Sequence, residues 1–265
     1  MRHPFFSSAR PRIFAHRGGS ALAPENTIAA FDRALALHAD GLEFDVRLTR
    51  DGLLAVHHDR TLERTTNDAG AIARRTSEEL ARVDAAYRFA PEEGFPLRGC
   101  GIGVPTLGEV LNRYPGVPII IELKEHTSQA ARAVAKEVRA CQAIEWVCVG
   151  SFSSRVLKVL RALDPEIATS AGREETRWAL YRSWCGVPLP RRRYDGFQVP
   201  EMAGRTRVVS PRFVEAARRA GLGVQVWTVD SEADALRLLN WGADALITNR
   251  PDRLAPLVAN ASGRS

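Results

Sequence analysis

Three carboxylates fall near the ends of two short apolar segments. In the segment 41–46, the strand period of two places Glu43 and Asp45 on one face and three apolar side chains on the other. Glu122 and Lys124 alternate in the same way at the end of a run of three isoleucines. If both segments are neighbouring strands of one parallel sheet, their acidic side chains converge.

Converging carboxylates predict a cation site. An inward-facing carboxylate at a strand end is costly unless it is paired, protonated or bound to a metal. Oxygen ligands suit hard cations, and the sequence shows nothing resembling a zinc ligand set. We therefore expect Glu43, Asp45 and Glu122 to hold a divalent cation, Mg²⁺ or Ca²⁺. Two structural alternatives stay open: an edge strand with one solvated face, and a simple Glu122–Lys124 ion pair.

Two histidines also follow predicted strands. His16 ends one segment and precedes Arg17 and two glycines, and His58 follows another. Because imidazole titrates near neutral pH, two histidines at one barrel mouth can act as a general acid and a general base. The guanidinium of Arg17 matches phosphate oxygens, and the glycines allow close approach to an anion. A structural histidine and a surface arginine before an ordinary turn are the competing interpretations.

Three further side chains are weaker candidates for lining a pocket. Trp227 ends the predicted seventh strand, Gln198 ends the sixth, and Phe152 follows the fourth. An aromatic residue on a strand is more often part of the core, so this alternative stays open for Trp227.

Short β-rich segments alternate with longer helical patterns, which is typical of βα units around a parallel sheet. The predicted strands are 13–16, 41–46, 53–57, 117–123, 146–149, 166–170, 195–199, 223–228 and 243–248. Segment 53–57 follows its predecessor too closely for an intervening helix, so we expect it beside the second strand. The other eight strands predict a (β/α)₈ TIM barrel.

Helical spacing of apolar residues accounts for most of the intervening chain. The predicted helices are 25–38, 128–141, 153–163, 210–220 and 231–241. Residues 59–104 have a weak helical pattern and predict a small insertion after the second strand. Residues 172–193, which contain Trp178 and Trp184, predict a lid or an extended loop. Neither stretch has the length of an independent domain, so we expect residues 1–265 to form one domain.

Composition argues against several classes of protein. The chain of 265 residues is 45% hydrophobic and 26% charged, as in ordinary globular proteins. Its net charge of +6 is a mild excess with a single run of three arginines at 191–193, so nucleic acid is not the favoured partner. Four cysteines without CxxC spacing argue against zinc or a disulfide framework. The sequence shows neither a signal peptide nor a membrane span, which predicts a cytoplasmic protein without stable membrane insertion.

A series of motifs resembles the glycerophosphodiester phosphodiesterase family. In chain order they are His16-Arg17-Gly18, Pro24-Glu25-Asn26-Thr27, Glu43-Phe44-Asp45-Val46, His58-Asp59, Arg64-Thr65-Thr66-Asn67, Pro105-Thr106-Leu107, Ile121-Glu122-Leu123-Lys124 and Val226-Trp227-Thr228-Val229. The motifs occur in the family's order, and the resemblance spans about residues 12–253.

The resemblance implies a TIM barrel with a small insertion after the second strand, here 59–104. It also implies metal-dependent hydrolysis of glycerophosphodiesters to sn-glycerol 3-phosphate and an alcohol. In the family, the neighbouring glycerol hydroxyl is thought to attack and form a cyclic phosphate that water opens. Direct attack by water stays open, because nothing in this sequence distinguishes the two routes.

The resemblance also assigns roles to individual residues. It implies metal ligation by Glu43, Asp45 and Glu122, acid–base catalysis by His16 and His58, phosphate binding by Arg17 and Lys124, and a supporting position for Glu25 beside the first histidine and the metal. Trp227 would wall the pocket against the glycerol or alcohol group. His57 would serve in packing or support, since His58 is the histidine that directly precedes the aspartate.

Two other functions remain open. A lysophospholipase D-type enzyme would keep the barrel and the metal but would need an apolar groove or a membrane-binding surface. The Phe5–Phe6 pair, Trp178 and Trp184 are the indications for such a surface. A non-catalytic phosphodiester-binding barrel would lack a metal carboxylate or a histidine, whereas all of them are present. The sequence indicates neither the alcohol group nor the oligomeric state.

Overall fold

Eight parallel strands form the barrel in a computed structural model that describes residues 2–190 and 193–262. The strands are β1 (Arg12–His16), β2 (Gly41–Leu48), β3 (Ile119–Leu123), β4 (Val147–Gly150), β5 (Ala168–Thr169), β6 (Gly196–Pro200), β7 (Gly223–Trp227) and β8 (Ala245–Thr248). Hydrogen-bonded neighbours follow the order β5-β4-β3-β2-β1-β8-β7-β6. A parallel bridge between Ser170 and Gly196 brings β5 beside β6, so the ring is nearly closed. The predicted barrel is confirmed.

One helix follows each barrel strand, directly or after the insertion. The helices are α1 (Ile28–Ala36), α2 (Leu107–Arg113), α3 (Ser128–Ala140), α4 (Ser154–Leu163), α5 (Arg173–Cys185), α6 (Pro211–Arg219), α7 (Glu232–Asn240) and α8 (Pro251–Ser262). Six of them begin after a serine or threonine whose side chain accepts a backbone N–H of the first turn, as at Thr27 and Ser153. None of the helices in the described part of the chain is long and apolar enough to cross a membrane.

The prediction of a lid or loop at 172–193 was wrong, because most of this segment is α5. The helix buries few side chains, chiefly those of Ala179 and Leu180. Its aromatic residues face outward. The apolar residues of this segment therefore do not follow the spacing of an amphipathic helix, and the sequence pattern does not indicate a helix here. Glu175 accepts the backbone N–H of Gly172 at the start of the helix. Arg191 and Arg192 lie outside the described residues.

The short strand Leu54–Val56 pairs antiparallel with β2, as expected for an extension beside the second strand. Residues 59–104 then run between this strand and α2. They contain the short helix Ser77–Ala81 and bury a separate apolar cluster that includes Leu62 and Leu80. The cluster includes Ala55, which pairs with Arg47 near the carboxyl end of β2, so the segment packs beside that end of the strand.

The amino-terminal end of the barrel is closed by aromatic packing. Phe5 and Phe6 are each 2% exposed, and their ring centroids lie 5.0 Å apart. The ring of Phe6 lies against Gly196, where an added Cβ would approach it to 2.5 Å. The Phe5–Phe6 pair is therefore not part of a lipid-facing surface, which corrects that indication. The aromatic side chains of α5, by contrast, are exposed.

Candidate active site

The predicted carboxylates converge where β2 and β3 approach the carboxyl end of the barrel. Asp45 lies opposite Glu122 in the parallel register, and Glu43 lies two residues earlier on the same face. Each of the three residues offers an oxygen, and these oxygens lie within 4.8 Å of one another. The parallel strands thus bring together side chains that are far apart in the sequence.

Two cationic side chains face this acidic cluster. The Nζ of Lys124 lies 2.9 Å from Oδ1 of Asp45 and 2.8 Å from Oε2 of Glu122. The Nε of Arg17 lies 3.2 Å from Oδ2 of Asp45, at the distance of an ion pair but without hydrogen-bond geometry. The Glu122–Lys124 pair that the sequence left open does form, but Asp45 shares the lysine. Three carboxylates therefore face two cations.

Burial acts in the same direction on the three carboxylates, but their neighbouring charges differ and so do their pKa values. Burial raises the pKa of Glu43 well above its ordinary value, and the neighbouring charges of Asp45 and Glu122 raise it further. Burial also raises the pKa of Glu122, with partial opposition from Lys124. At Asp45, burial acts in the same upward direction, but Lys124 and Arg17 outweigh it and leave its pKa low. The cluster therefore resists full ionisation unless additional positive charge is present.

The residues fit a divalent cation. The buried Oε1 of Glu122 has no hydrogen-bond partner among the described residues, which leaves a free acceptor within the acidic cluster. The donors are carboxylate oxygens, which suit Mg²⁺ or Ca²⁺ better than softer metals. Glu43, Asp45 and Glu122 can thus hold a hard cation.

His16 is fixed by an amide at the end of β8. Its Nδ1 lies 2.6 Å from Oδ1 of Asn249, whose Nδ2 donates to Asp230 at 2.8 Å. Because Asp230 accepts from the amide nitrogen, the amide oxygen must face His16, so Nδ1 carries the proton. The Nε2 atom is then an acceptor, 3.9 Å from Oε2 of Glu43. Burial lowers the pKa of His16, which favours the neutral ring.

His58 is fixed by a carboxylate instead. Its Nδ1 lies 2.7 Å from Oδ1 of Asp59, and the guanidinium of Arg64 also contacts Asp59. Arg64 makes two further hydrogen bonds, at 2.8 Å and 2.6 Å, to Glu25. Burial lowers the pKa of His58, partly against the influence of Asp45. An anionic partner on Nδ1 would stabilise the imidazolium form once it is produced.

Glu25 and the loop after β1 hold Arg17 in place. Oε1 of Glu25 accepts a hydrogen bond of 3.0 Å from Arg17, so Glu25 lies between Arg17 and Arg64. The chain turns with positive φ at Arg17 and at Gly18. An added Cβ at Gly18 would lie 2.7 Å from the Cβ of Ala30, so the turn needs glycine there.

Aromatic rings line one side of the mouth. Trp227 and Phe152 pack edge to face, with ring centroids 6.0 Å apart. Phe152 is exposed, and the guanidinium of Arg173 lies over its ring. Gln198 does not reach this wall, because its side chain turns into the barrel and donates to Gln225 at 2.9 Å. His57 is buried beside the mouth, with Nε2 3.2 Å from the carbonyl of Thr61.

A cleft of about 590 Å³ opens between the loop after β1 and residues 85–97 of the insertion segment, and none of the three carboxylates of the acidic cluster lines it. Glu25 and Arg64 form part of its wall and separate it from His58 and Arg17.

Sequence reasoning missed three residues that orient the predicted ones. Asn249 follows β8 directly, and a polar residue just past a barrel strand could have been marked by the same rule that found His16. Asp230, three residues after β7, acts through Asn249. Arg47 continues the inward face of β2, and its Nε donates to the carbonyl of His58 at 2.7 Å.

The structure thus defines a (β/α)₈ barrel whose mouth brings together an acidic cluster, two cationic side chains and two histidines. The profile of the glycerophosphoryl diester phosphodiesterase family matches residues 16–253. The chain belongs to this family of phosphodiester-hydrolysing enzymes.

Individual relatives agree with this assignment. A glycerophosphodiester phosphodiesterase of Caldanaerobacter subterraneus is 32% identical over 251 residues, which cover 93% of this chain and 97% of the relative. A glycerophosphodiester phosphodiesterase of Bacillus altitudinis is 34% identical over 249 residues, which cover 91% of this chain and 96% of the relative. A phosphodiesterase of Oleispira antarctica, solved in complex with the product sn-glycerol-3-phosphate, superposes with a TM-score of 0.74. It is 27% identical, and the match covers 94% of this chain and 97% of that structure.

Proposed function

We propose that this enzyme hydrolyses glycerophosphodiesters to sn-glycerol 3-phosphate and an alcohol, with a divalent cation and two histidines. One observation carries the proposal: Glu43, Asp45 and Glu122 meet at the same barrel mouth as two oriented imidazoles. The Oleispira relative with bound sn-glycerol-3-phosphate supports the choice of product.

Phosphate binding falls to groups that already face the acidic cluster. When bound by Glu43, Asp45 and Glu122, a Mg²⁺ or Ca²⁺ ion would supply Lewis acidity and neutralise phosphate charge. Arg17 can present its planar fork to two phosphate oxygens, and Lys124 adds a compact positive charge. Glu25 would hold Arg17 in the required orientation.

The partners of the two histidines suggest their proton-transfer roles. The neutral amide of Asn249 leaves His16 with an unprotonated Nε2, which can accept the proton of the attacking hydroxyl. The carboxylate of Asp59 opposes the burial that lowers the pKa of His58, and the protonated ring can give its proton to the departing alkoxide. One P–O bond forms as the other breaks, and in a cyclic-phosphate route the histidines would exchange roles in the second step.

The remaining features complete the proposal. Trp227 and Phe152 would wall the pocket against the glycerol or alcohol group. We also propose that residues 1–265 form one domain, with the core at 12–253 and an insertion subdomain at 59–104. The cytoplasmic location of the protein and the small size of its substrate remain predictions.

Product identity tests the proposal. The wild-type protein with Mg²⁺ or Ca²⁺ should convert glycerophosphocholine and glycerophosphoethanolamine to sn-glycerol 3-phosphate. Formation of this product is measured by ³¹P NMR. Phosphocholine and free glycerol as products would mean that the wrong ester bond had been assigned. Full activity in the Glu122→Gln variant would contradict the assigned metal ligand.

A lysophospholipid substrate is the second candidate, because the exposed aromatic face of α5 offers an apolar surface near the mouth. An assay with lysophosphatidylcholine distinguishes the two candidate functions. The lysophospholipid candidate predicts that choline is released faster from lysophosphatidylcholine micelles than from glycerophosphocholine.

A further inference from the structure

The outer face of α5 carries three exposed aromatic side chains. Trp178, Tyr181 and Trp184 have relative exposures of 69%, 46% and 45%. Residues three apart are neighbours on a helix, and the rings of Trp178 and Tyr181 lie 6.4 Å apart edge to face. The ring centroids of Tyr181 and Trp184 lie 5.5 Å apart. A contiguous exposed aromatic row of this kind marks an interaction surface.

Basic residues surround the aromatic row. Arg173 and Arg177 lie on the exposed side of α5. Exposed Arg212 of α6 reaches the end of α5, where its guanidinium would lie 3.5 Å from a Cβ added at Gly186. We call Trp178, Tyr181, Trp184, Arg173, Arg177 and Arg212 the α5 surface.

The acidic groups of α5 are turned toward the neighbouring helix. Glu174 accepts a hydrogen bond from Ser154, and Glu175 forms an ion pair of 2.7 Å with Arg161. Both partners lie on α4, but Glu174 is also exposed and interacts with the charge of Arg177, so these carboxylates neutralise the outward arginines only in part. The α5 surface therefore combines aromatic rings with positive charge.

The α5 surface continues to the barrel mouth. The guanidinium of Arg173 lies 5.3 Å from the centre of the Phe152 ring, and Phe152 packs against Trp227. A layer lying on the aromatic row would thus reach the same side of the mouth that the two rings line.

We propose that the α5 surface docks on an anionic lipid bilayer and brings the barrel mouth to the headgroup layer. Tryptophan and tyrosine prefer the boundary between water and lipid, and arginines are attracted to anionic headgroups. A second copy of the chain fits this surface less well, because a symmetric contact would oppose the arginines of both copies. The docking does not rest on the proposed activity.

Co-sedimentation of the full chain with vesicles tests the proposal. Binding should be strong to phosphatidylcholine–phosphatidylglycerol vesicles, weak to phosphatidylcholine alone, and reduced by salt. The double variant Trp178→Ala/Trp184→Ala should bind the mixed vesicles roughly tenfold less, since interfacial binding scales with buried apolar area. The variant Arg177→Ala/Arg212→Ala should also lose roughly tenfold or more.

Matched variants control for surface and charge. Leu236→Ala removes an apolar side chain, 47% exposed, from α7, and Arg218→Ala/Arg219→Ala removes two exposed charges from α6. Both should bind vesicles like wild type. The tryptophan double variant should keep wild-type activity on soluble glycerophosphocholine.

Two outcomes would overturn the proposal. One is that the Trp178→Ala/Trp184→Ala variant binds vesicles as strongly as the wild-type protein does. The other is a dimer of the wild-type chain in sedimentation velocity that the same substitutions dissociate, which would assign the α5 surface to a second copy. A Glu43→Gln variant should bind vesicles like wild type even when inactive, so failed catalysis and failed docking are distinguishable.

Discussion

At the amino end of β1, the guanidinium of Arg12 lies over the rings of Phe5 and Phe14. At the carboxyl end of the same strand, His16 and Arg17 face buried carboxylates. The inward side of one strand therefore changes, within five residues, from a single cation packed on aromatic rings to a cluster in which three carboxylates face two cations. The first end stabilises the fold, whereas the second accepts unfavourable burial of charge in order to present chemistry.

The difference has a physical consequence for substitutions. Truncation at the closed end leaves a cavity and lowers the free energy of unfolding. Removal of a group at the mouth should instead lower activity, and it can relieve like-charge repulsion, as at Glu43 beside Asp45. Stability and activity should thus respond to opposite ends of the barrel.

The largest effect is expected from the histidines. His16→Ala and His58→Ala should each lower kcat by roughly 10²-fold or more, with the midpoint of unfolding nearly unchanged. His38→Asn is the matched control, because His38 is exposed at the end of α1 with a φ of 63° that asparagine tolerates. Near-full activity in both alanine variants would remove the acid–base assignment.

A better leaving group sharpens the assignment of roles. A glycerophospho-p-nitrophenyl ester needs little protonation of its leaving oxygen, so His58→Ala should recover much of its activity on this substrate while His16→Ala should not. The reverse pattern would exchange the two roles.

Phe6→Ala should break the closed end. The ring is fully packed against the barrel floor, so its loss should lower the free energy of unfolding by about 3–5 kcal/mol in urea titration. The same truncation at the mouth, Phe152→Ala, should cost less than about 1 kcal/mol because that ring is exposed. Equal losses at both ends would refute the comparison.

A smaller effect is expected from Glu43 in EDTA. The pKa of Glu43 is raised on folding, so its contribution to stability is present below the ordinary value near 4.5 and is lost as pH rises toward the raised value. The free energy of unfolding of Glu43→Gln relative to wild type should therefore increase from about pH 5 to pH 8. Glu232→Gln, at an exposed site on α7, should show no such trend.

The sequence was sufficient for the barrel and for the acidic cluster, because strand alternation is local and parallel strands align their carboxyl ends. Glu43, Asp45 and Glu122 could be predicted on that ground alone. Asn249 could have been marked as a residue of the mouth, but its pairing with His16 could not be predicted, since the two lie 233 positions apart and the amide orientation depends on Asp230.

The other errors came from side chains that break the usual rule of burial. The two tryptophans, two prolines and the arginine run of residues 172–193 predict a lid or an extended loop, but Trp178 and Trp184 face outward from a helix that presents no apolar stripe to the core. The Phe5–Phe6 pair suggests a lipid-facing surface in the sequence, whereas in the structure it closes the barrel floor. Amino-acid type alone does not say on which side of a helix, or at which end of a barrel, an aromatic ring lies.

Metal dependence is the most direct test of the central claim that the mouth holds a catalytic cation. EDTA-stripped chain should release no sn-glycerol 3-phosphate from glycerophosphocholine, and added Mg²⁺ or Ca²⁺ should restore release in wild type but not in Asp45→Asn. An undiminished rate in EDTA, or no release with either metal, would contradict the account.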